Sequence, residues 1–107
     1  SAARQSEARA GQLAASRAMA ERRLSQEYQS ALERVKRFHQ QAEQCRQQVA
    51  LAEEDLKLSR LRYEGGEGAA LDVVVAQNQL AQARSNYYLG VANFFNARWD
   101  LEVASGR

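Results

Sequence analysis

The sequence predicts an all-α protein, a long antiparallel coiled-coil helical hairpin, and three observations carry that expectation. Twelve apolar or small positions recur in steps of four and three from Leu24 to Tyr63. A glycine-rich tetrapeptide, Gly65-Gly66-Glu67-Gly68, follows at once. Behind it a second heptad system runs to Ala104, and no proline occurs anywhere in the 107 residues to kink either segment. The chain therefore reads as one unit, 1–107: a first helix over about 2–63, a tip loop over 64–69 and a second helix over about 70–104.

The first helix has its strongest signal in the seam Leu24, Tyr28, Ala31, Val35, Phe38, Ala42, Cys45, Val49, Ala52, Leu56, Ser59 and Tyr63. A 3.5-residue repeat of this kind keeps one side of a helix against a partner and imposes left-handed supercoiling. Residues 1–23 are alanine-rich and looser in register. Ala10, Leu13, Ala20 and Leu24 join only through a stutter, because Arg17 stands where an apolar residue is wanted. This stretch reads as helix continuing into a weaker or differently paired region. If continuous, the whole helix is ~90 Å long at 1.5 Å per residue.

The loop supplies its own explanation. Gly65 or Gly66 is expected to take the left-handed conformation that ends the first helix, and Gly68 to add freedom for the reversal. Asp72 falls in the first turn of the second helix, where a carboxylate suits the positive end of the dipole.

The second helix carries two seams. One is Leu71, Val74, Asn78, Ala81, Ser85, Tyr88, Ala92, Phe95 and Trp99; the other is Val73, Ala76, Leu80, Ala83, Tyr87, Gly90, Phe94, Ala97, Leu101 and Ala104. An offset of two residues is ~200° around a helix, so the seams point nearly opposite ways. One partner helix covers only one of them, and this helix is expected to be flanked on both sides, like a stave in a wall. The outward seam is expected to be the one with Leu80, Tyr87, Phe94 and Leu101, serving as an interface. A three- or four-helix bundle with a core on both sides is the alternative.

Composition narrows the function classes. The formal charge of +2 is small and the basic residues mix with acidic ones, which marks a solvated face; no nucleic-acid partner is expected. No run approaches the ~18 apolar residues of a membrane span. Ser1 opens directly into helical sequence without a signal peptide, so the chain is expected to be a piece of something larger. Cys45 is the sole cysteine and sits on the seam as a small hydrophobe, and His39 has no second histidine to share a metal. With no acid/base pair, partnered nucleophile or phosphate loop, neither an enzyme nor a cofactor is expected.

At the tip the chain reads Arg62-Tyr63-Glu64-Gly65-Gly66-Glu67-Gly68-Ala69-Ala70-Leu71-Asp72-Val73-Val74-Val75-Ala76-Gln77. This resembles the periplasmic tip of TolC-type outer-membrane efflux proteins, whose pattern is approximately R-Y-x-x-G-x-x-[S/T]-x-L-D-V-L-x-A-Q. Arg62, Tyr63, Gly66, Leu71, Asp72, Val73, Ala76 and Gln77 match it. Leu80, Ala83, Asn86 and Tyr87 continue the likeness, as does the closing Leu101-Glu102-Val103-Ala104-Ser105-Gly106. The chain departs from the pattern at Ala69, where a capping Ser or Thr is usual, so Gly68 or a water is expected to serve the free N–H groups. It departs also in the flexible, acidic content of the loop.

The resemblance implies a piece of an α-barrel: a trimer, each protomer giving two hairpins to a twelve-helix periplasmic tube, continuing into a β-barrel in the outer membrane of a Gram-negative bacterium. This chain would be the later hairpin, lying in the periplasm and touching the membrane only through a β-barrel that its own sequence lacks. Asp72 and Tyr63 would belong to the entrance aperture and its gating, Gly65, Gly66, Gly68 and Leu71 to the docking of a periplasmic adaptor, and Leu80, Tyr87, Phe94 and Leu101 to the seam between protomers. The implied partners are further copies of the protein, the adaptor and, indirectly, an inner-membrane pump; no metal or cofactor is implied. Asp72 read alone is equally a dipole-stabilising first-turn residue, and Tyr63 the last seam residue of its helix. Two other readings of the whole remain: the hairpin of an adaptor (a membrane fusion protein) and a purely structural coiled-coil bundle.

Overall fold

The structure, a computed structural model, describes residues 1–106. It is an all-α hairpin of two helices, α1 (Ala2–Glu64) and α2 (Ala70–Ala104), packed antiparallel in a rod 96 × 19 × 14 Å. The long dimension is that of α1, since 63 residues at 1.5 Å each span about 95 Å. No described helix is long and apolar enough to cross a membrane.

The helices meet along the α1 seam. Leu56, Ala76 and Leu80 form a buried cluster, with Val49, Ala52 and Val73 packed around it. Toward the open end Ala31, Ala83 and Ala97 are buried as well, Ala97 at 1% exposure. Ion pairs flank the joint at Arg34–Asp100 (3.4 Å) and Glu53–Arg84 (3.9 Å), both at the surface and worth little each. The His39 and Phe94 rings meet edge-on at 5.4 Å.

Leu80, Tyr87, Phe94 and Leu101 are buried or half-buried within the hairpin, which corrects their expected place on its outside. The outward seam is the other one, with Leu71, Val74, Tyr88, Phe95 and Trp99 exposed. The physical reason lies in residue size. Ala76, Ala83, Gly90, Ala97 and Ala104 recur every seven residues along one edge of the inner seam. Small side chains there let the backbones approach, and the larger residues between them fill the remaining space. At Gly90 an added Cβ would lie 3.4 Å from Cα of Ala42, ordinary contact distance. Gly90→Ala is therefore expected to be accommodated and to stabilise the hairpin by up to ~1 kcal/mol through helix propensity. Gly90→Leu is expected to wedge the helices apart. Thermal melts of the two variants should move in opposite directions.

Two further expectations about the α1 seam need correcting. Leu24 has no partner in the chain: with Gly90 packed on Ala42, Ala104 at the end of α2 comes level with Tyr28, which is 39% exposed, and every residue from Ser1 to Ser30 is exposed. Tyr63, at the other end, is 51% exposed and lies outside the joint.

Candidate functional site

The tip is built by a tight helix stop. Gly66 has φ +80°, and the Glu67 N–H donates to the Arg62 carbonyl (2.8 Å) while the Gly66 N–H donates to that of Tyr63 (3.1 Å). This six-to-one and inner bond pair is the Schellman arrangement, which satisfies carbonyls that a helix end otherwise leaves open. Of the two candidates it is Gly66 that turns left-handed; Gly65 stays in the right-handed helical region at φ −80°.

Gly68 has a different role from the one expected of it. Its φ is not in the left-handed region, but a Cβ there would stand 3.0 Å from Cβ of Arg62 and 3.3 Å from the Tyr63 nitrogen. The position is defined by close approach. Its N–H donates a second bond to the Arg62 carbonyl (3.0 Å), so that one oxygen gathers the loop.

α2 then starts at Ala69, extended at φ −94°, ψ 149°. The Asp72 carboxylate accepts from the Ala69 N–H at 3.4 Å, the acidic half of a capping box whose other half, a side-chain oxygen at the cap, alanine cannot supply. The Asp72 N–H in turn donates to the Ala69 carbonyl at 3.0 Å. Asp72 thus serves the N–H of the cap residue itself, a different donor from the first-turn N–H groups that the sequence leaves to Gly68 or water, and its carboxylate remains exposed. It lines a shallow groove beside the tip together with Asp55, Ser59, Arg62, Val75 and Gln79. Tyr63 is not among these residues; it and Asp72 are both solvent-facing. The meeting of Asp55 and Arg62 with Asp72 is not legible from sequence separation, though Asp55, Ser59 and Arg62 share one side of α1 by their spacing of four and three.

The second feature is the outer face of α2. Leu71, Val74, Val75, Tyr88, Leu89, Phe95, Trp99 and Val103 are all exposed along one broad stripe, with Tyr88 at 66% and Trp99 at 67%. Polar Asn78 and Ser85 interrupt it. The Arg98 guanidinium lies 6.0 Å from the Phe95 ring, within reach of a cation–π contact. The outer face of α1 is different. Glu33, Lys36, Gln40, Glu43 and Gln47 make its middle polar, with exposed leucines nearer the tip, at Leu51, Leu58 and Leu61. Hydrogen bonds from Arg46 hold the Glu43 carboxyl below the usual carboxylate range.

Comparison of the chain with protein-family models, with characterised proteins and with solved structures finds no match.

Proposed function

We propose that the chain is a periplasmic hairpin of a TolC-type outer-membrane efflux channel, working within a tripartite pump. The observation that carries this reading is the second apolar face of α2, opposite the one packed on α1. A free-standing hairpin has no use for such a face, whereas a helix set between two neighbours in a tubular wall needs it. The tip residues quoted above as resembling that family support the same reading.

In this role the tips ring the entrance. Asp72, held by its own capping bond at the helix start, repeats around the ring and attracts cations. Gly65, Gly66 and Gly68 leave most of the tip as bare backbone around the exposed Glu67, and exposed Leu71 stands next to it; an adaptor's helical tip meets backbone, this carboxylate and this leucine there. Adaptor binding to an open arrangement of the packed helices then shifts the channel toward opening. The stripe from Leu71 to Trp99 faces the next hairpin of the wall, taking the place the sequence gives to Leu80, Tyr87, Phe94 and Leu101.

Planar-bilayer recording on the whole protein that carries this hairpin tests the reading. A cation-preferring pore is expected, and Asp72→Asn, which keeps an oxygen for the Ala69 N–H while removing the charge, is expected to lower that preference severalfold. Absence of any pore would sink the channel reading. Unchanged conductance and ion preference in the Asp72→Asn variant would sink the acidic ring alone.

A further inference from the structure

We propose that the outer face of α2 is a self-association surface, occupied by α2 of a second copy of this chain lying parallel and in register. The stripe holds one helix at a time, so this pairing and the wall contact proposed above are alternative uses of the same face, and the pairing is tested on the chain by itself.

The size of the stripe is the first argument. Its large apolar residues together expose on the order of 1,000 Å², whereas a stable interface takes about 800 Å² from each partner and the largest patch on a typical monomer is about 300–600 Å². The second argument is the choice of partner surface. The outer face of α1 is polar from Glu33 through Gln48, so laying Tyr88, Phe95 and Trp99 against it would bury charge and amide groups without apolar return. The exposed apolar residues of α1 are fewer and lie at its two ends, Leu13, Met19 and Leu24 at one and Leu51, Leu58 and Leu61 at the other; the surface that matches the stripe along its whole length is the same stripe on another molecule.

The third argument fixes the direction. Leu71, Asn78, Ser85, Ala92 and Trp99 hold one heptad position of the stripe, and Val74, Ala81, Tyr88 and Phe95 the other. In a parallel pair Asn78 meets Asn78 and Ser85 meets Ser85, so each buried polar group finds a polar partner. A single asparagine at this kind of position fixes register and the dimeric state, at some cost in stability. An antiparallel pair centred on Ser85 covers the whole stripe but sets Asn78 against Ala92 and brings the two copies of Arg84 together. Centred instead between Ala81 and Gln82, it pairs Asn78 with Ser85 but leaves Phe95 and Trp99 beyond the start of the other α2. Only the parallel register covers the stripe and matches its polar positions. There Arg84 and Arg98 lie beside Leu89 and Val103 of the second copy, where their methylene stems cover apolar surface. The two tips then sit side by side at one end of a four-helix layer.

Light scattering on the chain is expected to give twice its 12.0 kDa mass. Tyr88→Glu combined with Phe95→Glu is expected to give a monomer with undiminished helicity, since both residues point away from the hairpin joint. In a Cys45→Ala background, Asn78→Cys and Ser85→Cys should each oxidise to a covalent dimer on their own. A monomeric parent chain, or a double-glutamate variant that still dimerises, would overturn the surface. Cross-linking only in a mixture of the two cysteine variants would overturn the parallel register.

Discussion

Leu80→Ala is expected to destabilise the hairpin by about 2–4 kcal/mol, through lost apolar transfer and the cavity left behind. Leu80 is 6% exposed and sits in the cluster with Leu56 and Ala76, the densest part of a thin joint. A two-helix rod has few such residues, so this one change removes a large share of what holds α2 to α1. Domains of this size have small margins to begin with. Far-UV circular dichroism should show a melting midpoint lowered by well over ten degrees, or no cooperative transition at all. Leu51→Ala, at an exposed site on α1, is the control and should stay within about 0.5 kcal/mol of the parent. Equal melts for Leu80→Ala and the parent would mean that the joint described above is not what keeps the helices together.

Gly68→Val is expected to cost about 1–3 kcal/mol by overpacking. The clash falls partly on backbone, at the Tyr63 nitrogen and the Arg62 carbonyl carbon, and backbone cannot rotate away as a side-chain end does. Relief requires the loop to open, which breaks the bonds that Glu67 and Gly68 donate to the Arg62 carbonyl. Urea unfolding should show the loss, and Gly11→Ala, where nothing lies within reach of the added carbon, should show a small gain instead. A Gly68→Val protein as stable as its parent would mean that the tip tolerates a different turn.

The helices and their reversal were legible because each rests on local chemistry: the seam spacing, the absence of proline and the glycines. The direction in which each α2 seam points was harder. Both seams are apolar at heptad spacing, and periodicity says that a seam has a partner without saying which. The deciding signal was present in the run Ala76, Ala83, Gly90, Ala97 and Ala104, which marks the side where two backbones come closest. Bulky Trp99 and Phe95 and polar Asn78 and Ser85 mark the side built for a different kind of contact. At the tip, the left turn at one of two glycines was readable from residue type. The crowding at Gly68 was not, because it depends on where Arg62 and Tyr63 stand after the reversal. Asp72 was legible as a first-turn carboxylate, while its reach back to Ala69 needed the extended backbone of that residue.

The unaccompanied part of α1 gives the molecule two regimes of local stability. Amides near Leu56 exchange with solvent only when the hairpin comes apart, so they report its global free energy. Those from Ala2 to about Leu24 are protected only by the helix–coil equilibrium of a lone segment, carried by alanine propensity and by growth from the supported turns beyond it. Unfolding therefore has no single free energy for the whole chain. A partner that settles on Leu13, Met19 and Leu24 would register first as slowed hydrogen exchange in that segment, before any change in the melting of the hairpin itself.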